Sequence, residues 1–118
     1  MSKDRTEDML YYEEEILYSI DKIIEYIMWY NLPDFIDDEK TFDACCMKLQ
    51  HIGECGIKLQ SIVGSNYKNI PFDLMSGFRN RVSHDYAGID NAIVWKIIKV
   101  SIPELKKALM GEEFEKLI

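Results

Sequence analysis

Apolar residues recur along this chain at helical rather than strand spacing. Leu10, Leu17, Ile20, Ile24, Ile27 and Met28 fall three, four or seven apart between about residues 7 and 30, which predicts a long amphipathic helix. The segment NLPDFIDDEKT at 31–41 ends it, because Pro33 and the aspartate cluster are helix breakers and caps. A second helix is predicted from about 41 to 63, with Ala44, Met47, Leu49, Ile52, Cys55, Leu59, Ile62 and Val63 as its apolar positions. Gly53 and Gly56 lie inside it, each costing up to about 1 kcal/mol relative to alanine. Close contact with another helix would explain them, and so would a locally loosened helix.

The stretch GSNYKNIP at 64–71 reads as a loop leading to Pro71, a residue suited to a first helical turn. A third helix follows, carrying Phe72, Leu74, Met75, Phe78 and Val82 and fraying near His84–Gly88. The segment from Gly88 to Met110 reads as a fourth helix with Asp90 as N-cap. Pro103 breaks or kinks it, so a short fifth helix is possible. Strand-like alternation is nearly absent. The expectation is an all-α bundle of four or five helices, one domain spanning residues 1–118.

Composition narrows the class. With 47% apolar and 30% charged residues the chain has the balance of a globular protein. No apolar run approaches the ~20 residues that cross a bilayer, and the N-terminus MSKDRTEDML lacks the apolar stretch of a signal peptide; a cytoplasmic protein is expected. Cys45, Cys46 and Cys55 are an odd number, two of them adjacent. They have no partner ligands at zinc-like spacing, so they read as small buried side chains. Net charge is −7, against a general nucleic-acid-coating role. That charge is uneven: residues 1–43 hold thirteen acids and four bases, residues 44–111 five acids and nine bases. A locally basic surface able to hold a phosphodiester therefore remains open.

The basic half contains FRNRVSHDYAGID at 78–90, with Arg79, His84 and Tyr86 within eight residues. Histidine titrates near neutrality and serves as general acid or base. Arginine stays charged and offers several donors to phosphate oxygens. Five residues apart on a regular helix, Arg79 and His84 are separated by about 140°, whereas Asn80 and His84 share a face. To act on one group, Arg79 and His84 need either a helix distorted or ended between them, or two copies of the segment meeting across a dimer axis. The bland alternative is a polar helix terminus with His84 near the negative end of the macrodipole. Trp29 and Trp95 read as core or interface anchors, Glu13–Glu15 as a solvated face, and His51, beside Ile52, as structural or surface.

RNRVSHDY has the R-x4-H-x-Y form that marks HEPN-domain ribonucleases, and the chain resembles their HepT-like toxins. Upstream FIDDEKTFDACCMKLQHIGE, then IPFDLMSGFRNRVSHDYAGID, then Trp95 and IPEL extend the resemblance from about residue 10 to 108. It implies a HEPN-type bundle acting as a homodimer, with the motif in a cleft at the dimer interface. It implies a metal-independent endoribonuclease, with no cofactor, belonging to a toxin–antitoxin module. Carried over by position, Arg79 and His84 become the catalytic pair and Asn80 an auxiliary residue. Tyr86 matches the tyrosine that the antitoxin, a minimal nucleotidyltransferase, modifies with AMP in some relatives. Ser83 departs from the apolar residue that relatives often carry before the histidine; it removes no catalytic group. The alternative is a non-catalytic HEPN module that binds RNA, nucleotide or a nucleotidyltransferase partner.

Overall fold

The computed structural model describes residues 3–85 and 88–111. Its regular elements are all helical: α1 (Lys3–Tyr26), α2 (Leu32–Asp37), α3 (Glu39–Val63), α4 (Phe72–Asp85), α5 (Asn91–Lys96) and α6 (Ile102–Met110). A single turn of 3-10 helix at Tyr67–Asn69 precedes α4, and a π turn at Ile97–Ser101 joins α5 to α6. Counting the joined pair as one rod gives five helical rods: the all-α class is as expected, but the fifth rod is α2, within 31–41, and not a separate helix after Pro103.

The central element is α3. It buries Phe42, Cys45, Cys46, Leu49, Ile52, Gly53, Cys55, Gly56 and Leu59, too broad a set for one stripe, because it packs against α1 on one side and α4 on the other. Along α1 and into the turn after it the buried stripe is Ile16, Ile20, Ile23 and Ile27, and in α4 it is Phe72, Met75, Phe78 and Val82. The rod of α5 and α6 buries Val94, Ile98, Ile102, Leu105 and Leu109; α6 rests on α1, and α2 bridges α3 and α5. Phe35 of α2 closes that corner between Phe42 and Trp95, at ring distances of 5.9 and 5.2 Å. The result is a slab of 47 × 35 × 19 Å, with α4 along one edge.

Several expectations need correction. Residues 31–41 are not simply a break: Asn31 caps α2 in a reciprocal capping box with Asp34, and Pro33 sits in its first turn. Leu10 and Met28 are exposed, since each lies about 100° from the Ile16–Ile27 stripe. Met47 is 72% exposed because neither neighbour of α3 covers that face. Trp29 is no core anchor; it is 93% exposed and adopts φ +72, the left-handed conformation that closes α1. Trp95 does pack on the core. Pro103 does not break the last rod; the irregularity beside it is the π turn. Pro103 enters the first turn of α6 after the widened π turn, where the Ile102 amide donates to the Ile97 carbonyl. Pro71 stands just outside α4 and accepts from the Met75 amide at 3.2 Å.

Asp38 locks the start of α3. Its carboxylate accepts from the Thr41 amide at 3.1 Å, the Thr41 hydroxyl at 2.7 Å and the Tyr30 hydroxyl at 2.5 Å. One side chain thus caps α3 and ties it to the turn after α1. The Tyr30 bond above all, then the Thr41 hydroxyl and amide, hold the Asp38 carboxyl down at about 2, from the ordinary 3.8. A depressed carboxylate contributes stability that is complete above 3.8 and vanishes as pH falls through about 2. Tyr30→Phe should therefore raise the Asp38 titration midpoint toward 3.8 in a carboxyl-resolved NMR titration, and should lessen the acid sensitivity that this residue contributes.

Candidate functional site around Arg79 and His84

The polar segment of interest occupies the last two turns of α4. Val82 and Phe78 anchor these turns to the core, which turns Asn80, Arg81, Ser83 and His84 outward. Asn80, Ser83 and His84 are exposed and Arg79 is half-buried. The Arg79 guanidinium donates to the Asn80 side-chain oxygen through Nη1 at a long 3.5 Å. Asn80 in turn shares a face with His84, so it stands between the two charged or chargeable groups.

The helix is continuous from Phe72 to Asp85. No break or left-handed residue separates Arg79 from His84, which removes a distorted or ended helix as the way to bring them together within one chain. The two side chains leave α4 about 140° apart. Tyr86 lies outside the described residues, so its relation to His84 is not part of this geometry.

What fixes Arg79 is a glycine on the neighbouring helix. A methyl group at Gly53 would collide with Arg79 Cβ. It would also stand 2.7 Å from the Met75 carbonyl oxygen and 2.9 Å from the Arg79 amide nitrogen. The backbones of α3 and α4 therefore meet at the residue that carries the guanidinium. Of the two explanations for Gly53 and Gly56, close helix contact is the one realised. Sequence reasoning did not connect Gly53 with Arg79; the only signal available was an unexplained glycine pair in a helix.

Beside this crossing, the outer face of α3 forms a groove of about 760 Å³ that reaches Val82 and Ser83 of α4. Cys46, Gln50 and His51 line it. His51 is held from outside: its Nε2 lies 3.3 Å from a Glu15 carboxylate oxygen on α1 and 3.5 Å from Cys55 Sγ. This agrees with a structural role at the surface and adds a tie between α1 and α3. Burial pushes the thiols up, to about 12 at Cys45 and about 11 at Cys46 and Cys55. They are therefore neutral at physiological pH and poor nucleophiles. Among the described residues no group of His, Cys, Asp and Glu is arranged to hold a metal ion, and no helix is long and apolar enough to cross a membrane.

This helical architecture, with an arginine and a histidine near the end of an edge helix, coincides with a family assignment. The model of the family described as "Ribonuclease HepT-like" matches residues 16–111. The chain belongs to this family of the HEPN superfamily. Among its relatives is a candidate RNase of Methanocaldococcus jannaschii, 35% identical over 104 residues, 88% of this chain and 85% of the relative. A second from the same organism is 33% identical over 107 residues, 91% and 95% of the two chains. A candidate ribonuclease HepT of Thermococcus cleftensis is 33% identical over 106 residues, 90% and 92%. No solved structure matches the chain.

The glycine crossing yields a direct expectation. Gly53→Ala should destabilise the fold by about 1–3 kcal/mol through overpacking, despite alanine's better helix propensity. Gly56→Ala should cost less, since an added methyl there meets chiefly the Met75 side chain, whose flexible Cε is 2.8 Å away. Denaturant unfolding of both variants checks the order.

Proposed function

We propose that this protein is a metal-independent endoribonuclease of the HEPN type, with Arg79 and His84 as its catalytic pair and Asn80 as an auxiliary residue. The observation that carries the reading is the family match over residues 16–111, which spans a helix that turns all three of these residues outward or half outward. The substrate is RNA. His84 removes the proton from a 2′-hydroxyl, whose oxygen attacks the adjacent phosphorus. The P–O5′ bond breaks, the departing 5′-oxygen takes a proton from solvent, and a 2′,3′-cyclic phosphate remains. Arg79 stabilises the charge that develops on the phosphoryl oxygens.

The 140° between Arg79 and His84 supports a homodimer in which the two α4 edges face each other, so that Arg79 of one copy works beside His84 of the second. The position of α4 at the edge of the slab favours that arrangement. The biological setting that fits is a toxin–antitoxin module. A minimal nucleotidyltransferase antitoxin neutralises the enzyme by adding AMP to Tyr86, bringing bulk and negative charge two residues from His84.

His84→Ala should lower RNA cleavage by about 10²–10⁴-fold and Arg79→Ala by about 10²–10³-fold, with helical content unchanged, in a denaturing-gel assay run in chelator. Retained cleavage by a well-purified His84→Ala protein would sink the assignment. Partner or RNA binding without cleavage by the wild type would favour a non-catalytic HEPN module instead. For the regulatory branch, intact mass of the chain co-expressed with the nucleotidyltransferase should rise in steps of one AMP moiety. Tyr86→Phe should abolish the increments; an unmodified wild-type mass would leave occlusion as the inhibitory route.

A further inference from the structure

We infer that the groove between the outer face of α3 and the end of α4 is a nucleobase-binding site, selective for bases that carry an exocyclic amino group. The inference rests on the endoribonuclease reading for its position in the reaction, but its chemistry comes from the groove itself.

The groove lining includes two carboxylates, Asp43 and Glu54, one imidazole, His51, which sits beside the Glu15 carboxylate, and neither lysine nor arginine. A phosphate would be repelled there. The cation that a phosphate needs lies on α4, where Arg79 stands one turn before Ser83 and sets its Cβ against Gly53, the chain neighbour of Glu54. Charge thus divides the seam into a phosphate side on α4 and a base side on α3. A single strand laid along the seam places its backbone on Arg79 and turns its bases onto α3.

The base side offers what an unstacked base requires. Met47 provides the exposed apolar surface, over a floor closed by the buried Cys46 and Val82, and its thioether is a polarisable partner for an aromatic face. Gln50 and Glu54 stand one turn apart, joined by a bond from Gln50 Nε2 to the Glu54 carboxylate at 3.3 Å. An ionised carboxylate only accepts hydrogen bonds and has about four lone-pair sites, so Glu54 keeps acceptor capacity beyond that bond. Acceptors of this kind pair with the amino groups of cytosine and adenine, or with the amino and ring N–H of guanine. Uracil presents two carbonyl acceptors and one N–H donor, and is disfavoured. Asp43 and Glu54 are eleven residues apart, about 16 Å along α3, so the groove accommodates more than one base. A second copy of the chain is a poorer occupant, because two such acidic grooves facing each other repel.

The test uses the full chain and short oligonucleotides of deoxycytidine and of deoxyuridine, which lack the 2′-hydroxyl and cannot be cut. The cytosine oligonucleotide should bind about tenfold more tightly, the span of one good base contact. It should also shift the NMR signals of the Met47 methyl and the Gln50 side-chain amide. Glu54→Gln replaces one of the two acceptor oxygens with an N–H donor and should reduce the preference for cytosine over uracil. Met47→Ala should weaken both oligonucleotides together. Equal affinities in the wild type, shifts confined to other parts of the surface, or an unchanged preference in Glu54→Gln would each overturn the inference. So would a Glu54→Gln protein that sediments differently from the wild type, since the groove would then be a subunit contact. The binding measurement needs no cleavage. Base preference without any ribonuclease activity would sink the catalytic reading and spare the groove, and cleavage without base preference would do the reverse.

Discussion

The arrangement of this protein depends on the approach of two backbones, α3 and α4, at Gly53. Interhelical distances of 8–10 Å are set by the side chains at the crossing, and here one of them is missing. The space a methyl group would occupy is taken by Arg79 Cβ, by the Arg79 amide and by the Met75 carbonyl. That approach seats Met75, Phe78 and Val82 in the core, and their burial turns the other side of α4 outward. The orientation of the candidate site is thus a consequence of how closely its helix is held, one layer below the chemistry.

A second constraint is that α3 has two packed faces and one open one. The helix serves α1 and α4 together, so apolar positions on the remaining side have nothing to cover them, and Met47 emerges there beside Gln50 and Glu54. Electrostatics then sorts the neighbouring helices. The carboxylates that line the groove belong to α3, as does His51, whereas Arg79 and His84 belong to α4. Buried thiols with raised pKa values contribute packing and no reactivity to this region.

Much of the fold was legible because helical periodicity, caps and breakers are local. The long helices, the cap at Asp90, whose side chain accepts from the Ala92 amide at 2.7 Å, and the buried cysteines all follow from near neighbours in the chain. The errors came where the answer depended on a distant residue. The short helix α2 forms in a segment rich in breakers because Phe35 finds Phe42 and Trp95. The last rod passes Pro103 because a π turn absorbs the missing donor. Trp29 was expected in the core or at an interface; its backbone closes α1 and leaves the ring outside the core. In the candidate site, the residue types and spacing of Arg79, Asn80 and His84 were readable; the glycine that seats Arg79 and the groove beside it were not.

By itself, then, the sequence determined the all-helical class, the family, and the presence of an arginine and a histidine five residues apart on one helix, since each of these is written in spacing and residue type over short stretches. Only the tertiary structure decided that α4 runs unbroken through both residues, that Gly53 lets it lie against α3, and that a groove lined by carboxylates opens beside that crossing. Those features join residues some thirty positions apart, and which of them meet is settled by packing rather than by any local preference of the chain.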